Sequence, residues 1–292
     1  MTAIYKREVR SYFFSMIGCI YAFVVLLVIG LMFLFTNLLG GYPYFAITIA
    51  NWLFLLVMVF AVPFLTMRSL AEERRAKTDQ MLLTYPVSVS KVILGKFFAM
   101  VTVYAVPLII SCLIPLIISW DSAGAGSLMI DFSAILALIC LGFLFVSVGM
   151  FISSLTESQV IAAVLSMGVL LLLFLWSDLV SLLPQTAAAS LIGFFIILLI
   201  LLFILYQLSH NATTTAAVGL GGTLALFGLL LFGRGLLPGL LNKILGIFSV
   251  TETINNFSSY NVFDLKGLLF FLSFAALFVF LTIQSVSKRR WS

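Results

Sequence analysis

Glu72, Glu73, Arg74 and Arg75 follow one another without interruption, with Lys77 and Asp79 close behind. Only 9% of the chain is charged, so this is its densest charge cluster. Carboxylates and guanidinium groups packed together suit recognition of an opposed charged surface. Thr78, Asp79, Gln80 and Met81 continue the segment, Leu82 and Leu83 supply apolar anchors, and Pro86 interrupts the backbone. Ser88 or Ser90 can cap the helix that follows. Arg68–Ser90 therefore reads as a short, charged, helix-containing segment able to dock a soluble partner, with an ordinary solvated loop as the alternative.

Chemistry of the catalytic kind is absent from the pattern. There is no G-x-x-x-x-G-K-[ST] loop, no H-E-x-x-H and no G-x-S-x-G, so neither a P-loop nor a hydrolase or metalloprotease constellation is encoded. The single histidine, His210, has no second ligand and no neighbouring nucleophile. Cys19, Cys112 and Cys140 lack metal-ligand spacing and fall within apolar runs, where they act as small packing residues. Asp131 and Asp178 sit at the ends of such runs, not at mid-depth where an ion-coupled carrier places its acid. Asn51 is the best single polar candidate for a pathway through the bundle, although a helix–helix hydrogen bond is the more natural role.

The elements that must position these residues are long apolar helices. Hydrophobic residues make up 63% of the 292-residue chain. Eight runs are each long enough to cross a bilayer, which takes about 20 residues as a helix. They are Met16–Leu39, Tyr44–Met67, Val92–Trp120, Phe132–Leu155, Val160–Leu183, Ala188–Leu208, Ala216–Leu240 and Leu265–Ser287. The runs do not alternate with period two, which excludes a porin-like barrel. The expected fold class is an all-α polytopic membrane protein forming a single transmembrane domain over residues 1–292. Pro63, Pro107 and Pro115 should kink spans 2 and 3.

Charge placement sets the expected topology. With both termini in the cytoplasm, the inner side receives twelve bases: Lys6, Arg7, Arg10, Arg68, Arg74, Arg75, Lys77, Lys91, Lys96, Lys288, Arg289 and Arg290. The outer side receives three, Arg234, Lys243 and Lys266. This is the positive-inside asymmetry of a multi-pass protein of the plasma membrane, and it gives the net charge of +5 no nucleic-acid meaning. Residues 2–14 place Tyr5, Val9, Tyr12 and Phe13 on one side of a helix and Lys6, Arg7 and Arg10 on the other, as an interfacial helix on anionic lipid would. Residues 242–264 form an outer segment whose Phe248, Phe257, Tyr260 and Phe263 suit the opposite interface.

The ordered pattern Ala71-Glu72-Glu73-Arg74-Arg75, Thr78-Asp79-Gln80-Met81-Leu82-Leu83-Thr84, Pro86-Val87-Ser88 and Leu94-Gly95-Lys96-Phe97 resembles the signature between the second and third spans of ABC-2 type transporter permeases. It looks closest to the gliding-motility (GldF-like) and copper-processing (NosY-like) types. Phe257, Asp264, Leu265, Phe270-Phe271-Leu272-Ser273 and Lys288-Arg289-Arg290-Trp291 look like that family's last span and tail. The resemblance covers residues 1–182 and 242–292. The usual member has six spans, so residues 188–240 read as an added two-span hairpin, expected at the periphery with Gly219, Gly221 and Gly222 at its helix contact. Lys77 stands where many relatives have glycine.

The resemblance implies a non-catalytic subunit. ATP and Mg would be bound by a separate ABC ATPase, present in two copies, and this chain would bind no cofactor. Glu72, Glu73, Arg74, Arg75, Thr78, Asp79, Leu82, Leu83 and Pro86 would form the coupling element seated on that ATPase, with residues 2–14 as the elbow helix. A second permease, identical or different, would complete the pathway between spans 1, 2 and 5, and an extracytoplasmic auxiliary protein could join it. The expected function is ATP-driven transport, with export as the direction. A membrane anchor that recruits an ATPase for mechanical work and a self-contained secondary carrier are the alternatives.

Overall fold

Backbone N–H and C=O groups in lipid must be satisfied within the segment itself, so long apolar runs fold as helices. The computed structural model describes residues 1–77, 88–121, 128–209, 213, 218–223, 238–258 and 262–290, and among them there are helices and no strand. In chain order the helices are α1 (Thr2–Phe14), α2 (Ile17–Phe33), α3 (Phe45–Ile49), α4 (Trp52–Thr66), α5 (Arg68–Arg75), α6 (Val89–Ser111) and α7 (Leu113–Asp121). They continue with α8 (Leu128–Leu155), α9 (Gln159–Ser181), α10 (Ala187–Ser209), α11 (Leu240–Gly246), α12 (Val250–Ser258) and α13 (Leu265–Arg290). A six-residue π-helical stretch, Leu34–Leu39, extends α2.

Seven stretches among the described residues are long and apolar enough to cross a membrane: Ile17–Leu39, Trp52–Arg75, Val89–Ser119, Leu128–Leu155, Gln159–Ser181, Ala187–Gln207 and Leu265–Lys288. The chain is therefore an all-α, multi-pass membrane protein. The expected eighth span, Ala216–Leu240, falls largely outside the described residues, as do Thr78, Asp79, Leu82, Leu83 and Pro86.

Two expected single spans are interrupted, each for a local reason. The run Tyr44–Met67 is broken at Asn51, whose extended backbone (ψ 134°) ends one helix while its Oδ1 accepts the Leu53 N–H at 3.0 Å and starts the next. Asparagine competes for backbone groups in this way and so favours caps over helix interiors. The run Val92–Trp120 breaks at Cys112, between α6 and α7. Pro115 lacks the N–H that would reach the Ser111 carbonyl, and its ring crowds that carbonyl. Pro63 and Pro107 lie inside continuous helices.

The chain divides into two compact units. The first comprises residues 1–174 and 250–292, with α8 at its centre. Within its membrane span 72% of α8 is buried, against 22% for α2. Two glycines let neighbours reach the α8 backbone. A Cβ at Gly142 would collide with the Tyr104 ring of α6, and one at Gly149 with Thr66 of α4. Tyr104 fills the first gap and donates its hydroxyl to the Leu138 carbonyl at 3.0 Å. The later part of the expected outer segment, from Val250 on, belongs to this unit: Phe257 is buried, 5.8 Å edge-on from Phe263, which is itself exposed.

The second unit, residues 175–249, holds the end of α9 together with α10 and α11. Trp176 Nε1 donates to the Leu245 carbonyl at 2.8 Å, and Asn242 Nδ2 donates to the carbonyls of Val180 and Leu183 at 3.3 and 3.1 Å. Only 6% of the α10 span is buried. A Cβ at Gly222 would strike Leu198 and one at Gly219 would lie 3.3 Å from Leu202, whereas Gly221 faces open space. Two of the three glycines therefore face α10 closely.

Candidate functional site

The charge cluster lies on α5, which follows α4 directly after an interruption at Met67. The junction is held by one side chain of α8. Ser153 Oγ donates to the Met67 carbonyl at 3.2 Å and accepts from the backbone N–H groups of Leu70 and Ala71 at 3.3 and 3.1 Å. The first turn of any helix has N–H groups without internal partners. Here a buried serine from another span satisfies two of them, so α5 is fixed at its root. At its other end, Arg74 Nη1 donates to the Thr156 carbonyl at 3.1 Å, tying α5 to the turn after α8. Arg74 and Arg75 in the last turn also complement the helix dipole.

The four charges of the cluster point to different partners. Glu72 receives Arg68 Nε at 2.6 Å and Nη2 at 2.8 Å, a two-point pair on one helix that is partly solvated. Arg75 is exposed, as are Ala76 and Lys77. Glu73 turns inward instead, and its Oε1 lies 2.7 Å from Lys96 Nζ of α6. The Lys96 side chain is only 3% exposed. It also donates to the Ser69 carbonyl at 3.1 Å and to Glu8 Oε1 of α1 at 3.4 Å. The cluster is thus two surfaces: Glu72 and Arg75 outward, Glu73 inward. Glu72 and Glu73, expected together in the coupling element, thus differ in their surroundings, with the buried ammonium of Lys96 behind the second.

Two residues past the end of α5, Lys77 has a φ of +55°, which is left-handed. Glycine adopts this conformation without penalty and other residues at a cost.

The expected elbow is the helix α1, with Lys6, Arg7 and Arg10 exposed. Arg10 stacks over the Phe14 ring at 4.9 Å, and Arg7 pairs with Glu8 at 2.8 Å, which holds its guanidinium pKa above the ordinary value. The other face of α1 is bonded to the bundle. Tyr12 is buried and donates to the Leu65 carbonyl at 3.2 Å, and burial raises its phenol well above the usual range, so it keeps the proton that it donates. Tyr5 OH bonds Thr102 Oγ1 at 2.9 Å, and Gly95 admits Ile4, which would lie 3.2 Å from an added Cβ. Asn51 lies at the opposite end of α4 as a helix cap. At the start of α3, Asp131 of α8 is 1% exposed and accepts the Ala46 N–H at 2.8 Å, capping that helix from another span.

Sequence reasoning counted Lys96 as a topological charge and within the family pattern but gave it no partner, and it did not single out Glu8 or Ser153. Two signals were present. Lys96 stands inside an apolar run, where a cation requires a partner. Glu8 is the one acid among the bases of α1.

A family model described as ABC-2 family transporter protein matches residues 44–192, half of the chain. The matched stretch runs from the start of α3 into α10 and contains α5, Lys96 and Ser153. No curated protein and no solved structure matches the chain.

Proposed function

Because the chain belongs to the ABC-2 transporter family and is a multi-pass membrane permease, we propose that it is the transmembrane subunit of an ATP-driven exporter whose ATPase docks at α5. Permeases of this family serve an ABC ATPase, and ATP with its Mg is held by that partner. Two ATPase copies and a second permease chain complete the transporter, and the gliding-motility and copper-processing types are the nearest likenesses. The basic end of the bundle, with both termini, faces the cytoplasm.

The observation that supports this most is the anchoring of α5. A short charged helix is joined to α8 through Ser153 and to the α8–α9 turn through Arg74, yet presents Glu72 and Arg75 to solvent. A solvated loop has no use for such fixation, whereas a helix that receives a push must be stiff at its root. Thr78, Asp79, Leu82, Leu83 and Pro86 extend the same docking element.

The test is co-purification of the ATPase with the wild-type permease and with the Glu72→Lys/Arg75→Glu double variant, followed by ATP hydrolysis on each complex. Opposed like charges at a desolvated contact cost several kcal/mol. We expect ATPase recovery to fall while the permease remains folded. Equal recovery and equal turnover would remove the docking role. Stimulation of hydrolysis by a transported substrate separates an exporter from an anchoring factor.

A further inference from the structure

An ammonium group carries three N–H donors, and all three of those on Lys96 are used. Its acceptors are the Glu73 carboxylate at 2.7 Å, the Ser69 carbonyl at 3.1 Å and the Glu8 carboxylate at 3.4 Å. The first two belong to α5 and the third to α1, while Lys96 itself belongs to α6. Arg7 bonds the same Glu8 oxygen from outside, so two carboxylates meet two cations in one chain of contacts. The Lys96 side chain is 3% exposed, so water does not replace a lost partner without entry into the bundle.

We propose that Lys96 is a positioning residue that pins α1 and α5 together, so that movement imposed on α5 is delivered to the elbow as well as to α4. The pin rests on the docking role given to α5 above. A second contact supports the same linkage: Tyr12 of α1 donates to the Leu65 carbonyl just before the α4–α5 junction. The physical reason for rigidity is the cost of separation. A shift of α5 away from α1 strands a buried charge between the two, and buried charges persist only when paired. The elbow and α5 are far apart in sequence and joined by no shared backbone, so this ionic contact does what chain continuity does for α4 and α5.

The experiment uses the permease–ATPase complex in lipid nanodiscs, with Cys19, Cys112 and Cys140 replaced by alanine and spin labels on Ser11→Cys and Ala76→Cys, both exposed sites. The elbow-to-α5 distance is read without nucleotide and with ATP trapped. Three forms are compared: wild type, Lys96→Arg, and the neutral triple variant Glu8→Gln/Glu73→Gln/Lys96→Met. The triple variant removes the charges together, so it leaves no uncompensated buried ion and folds. Wild type and Lys96→Arg should keep one narrow distance in both states. The triple variant should retain the ATPase but show a broadened, nucleotide-dependent distance.

A wild-type distance that changes with nucleotide would overturn the pin. So would a triple variant that keeps the wild-type distribution, since the cluster would then be structural only. Failure of the wild-type chain to retain any ATPase would count against the docking role instead. The pin would then be judged on the permease alone, where it requires a narrow distribution in wild type and a broad one in the triple variant.

Discussion

The Ser153 hydroxyl of α8 donates to the Met67 carbonyl at 3.2 Å, at the junction between α4 and α5. The same oxygen accepts the N–H groups of Leu70 and Ala71. One buried hydroxyl thereby ties the root of the charged helix to α8.

Ser153→Ala removes that acceptor and leaves two N–H groups in an apolar setting. An unsatisfied buried polar group costs about 1–3 kcal/mol. We expect a lower unfolding midpoint in detergent and faster amide exchange at Leu70 and Ala71. Exchange unchanged at both sites would show that α5 is held by its other contacts.

Gly142 and Gly30 should respond in opposite ways to alanine. A methyl at Gly142 meets the Tyr104 ring, whereas nothing lies within 4 Å of one at Gly30. Overpacking costs roughly 1–3 kcal/mol, and alanine in an open helical position gains up to about 1 kcal/mol over glycine. The measurement is the thermal midpoint of each variant by size-exclusion recovery after heating. Equal tolerance at the two positions would refute the close α6–α8 contact.

Lys77→Gly relieves the left-handed backbone at the end of α5. The relief is about 1 kcal/mol, or roughly fivefold in a local opening equilibrium. The Ala76 N–H, bonded to the Glu72 carbonyl at 2.9 Å, should exchange more slowly by that factor. Faster exchange would mean that the lysine side chain itself secures the turn.

The orientation of the bundle is tested by impermeant thiol labelling of single cysteines at Ala76 and Val262, both exposed. Ser258, close to Val262, is only 4% exposed and would not report. Val262→Cys should be modified from outside intact cells and Ala76→Cys only after permeabilisation. The reverse pattern would invert the proposed topology.

Composition and run length alone determined that the chain is a helical, multi-pass membrane protein, because lipid leaves long apolar segments no other structure. The Glu72-to-Arg75 cluster and the amphipathic split of residues 2–14 were equally plain, since both are patterns along a single helix. The interruptions were only half visible. Three prolines read alike as kink sites, yet only Pro115 stands just after a break, and the cap at Asn51 was settled by the fold.

What tertiary structure alone decided is which member of the charge cluster points where. Glu72 and Glu73 are neighbours in sequence and alike in chemistry. Successive helical side chains diverge by about 100°. One therefore meets Arg68 on its own helix and the other meets Lys96 on another. The meeting of Glu8, Glu73 and Lys96 depends on the packing of α1 and α5 against α6, and no local pattern encodes a contact between residues so far apart in the chain. The same holds for Ser153, an ordinary serine near the end of a helix until the α4–α5 junction at Met67 is laid against it.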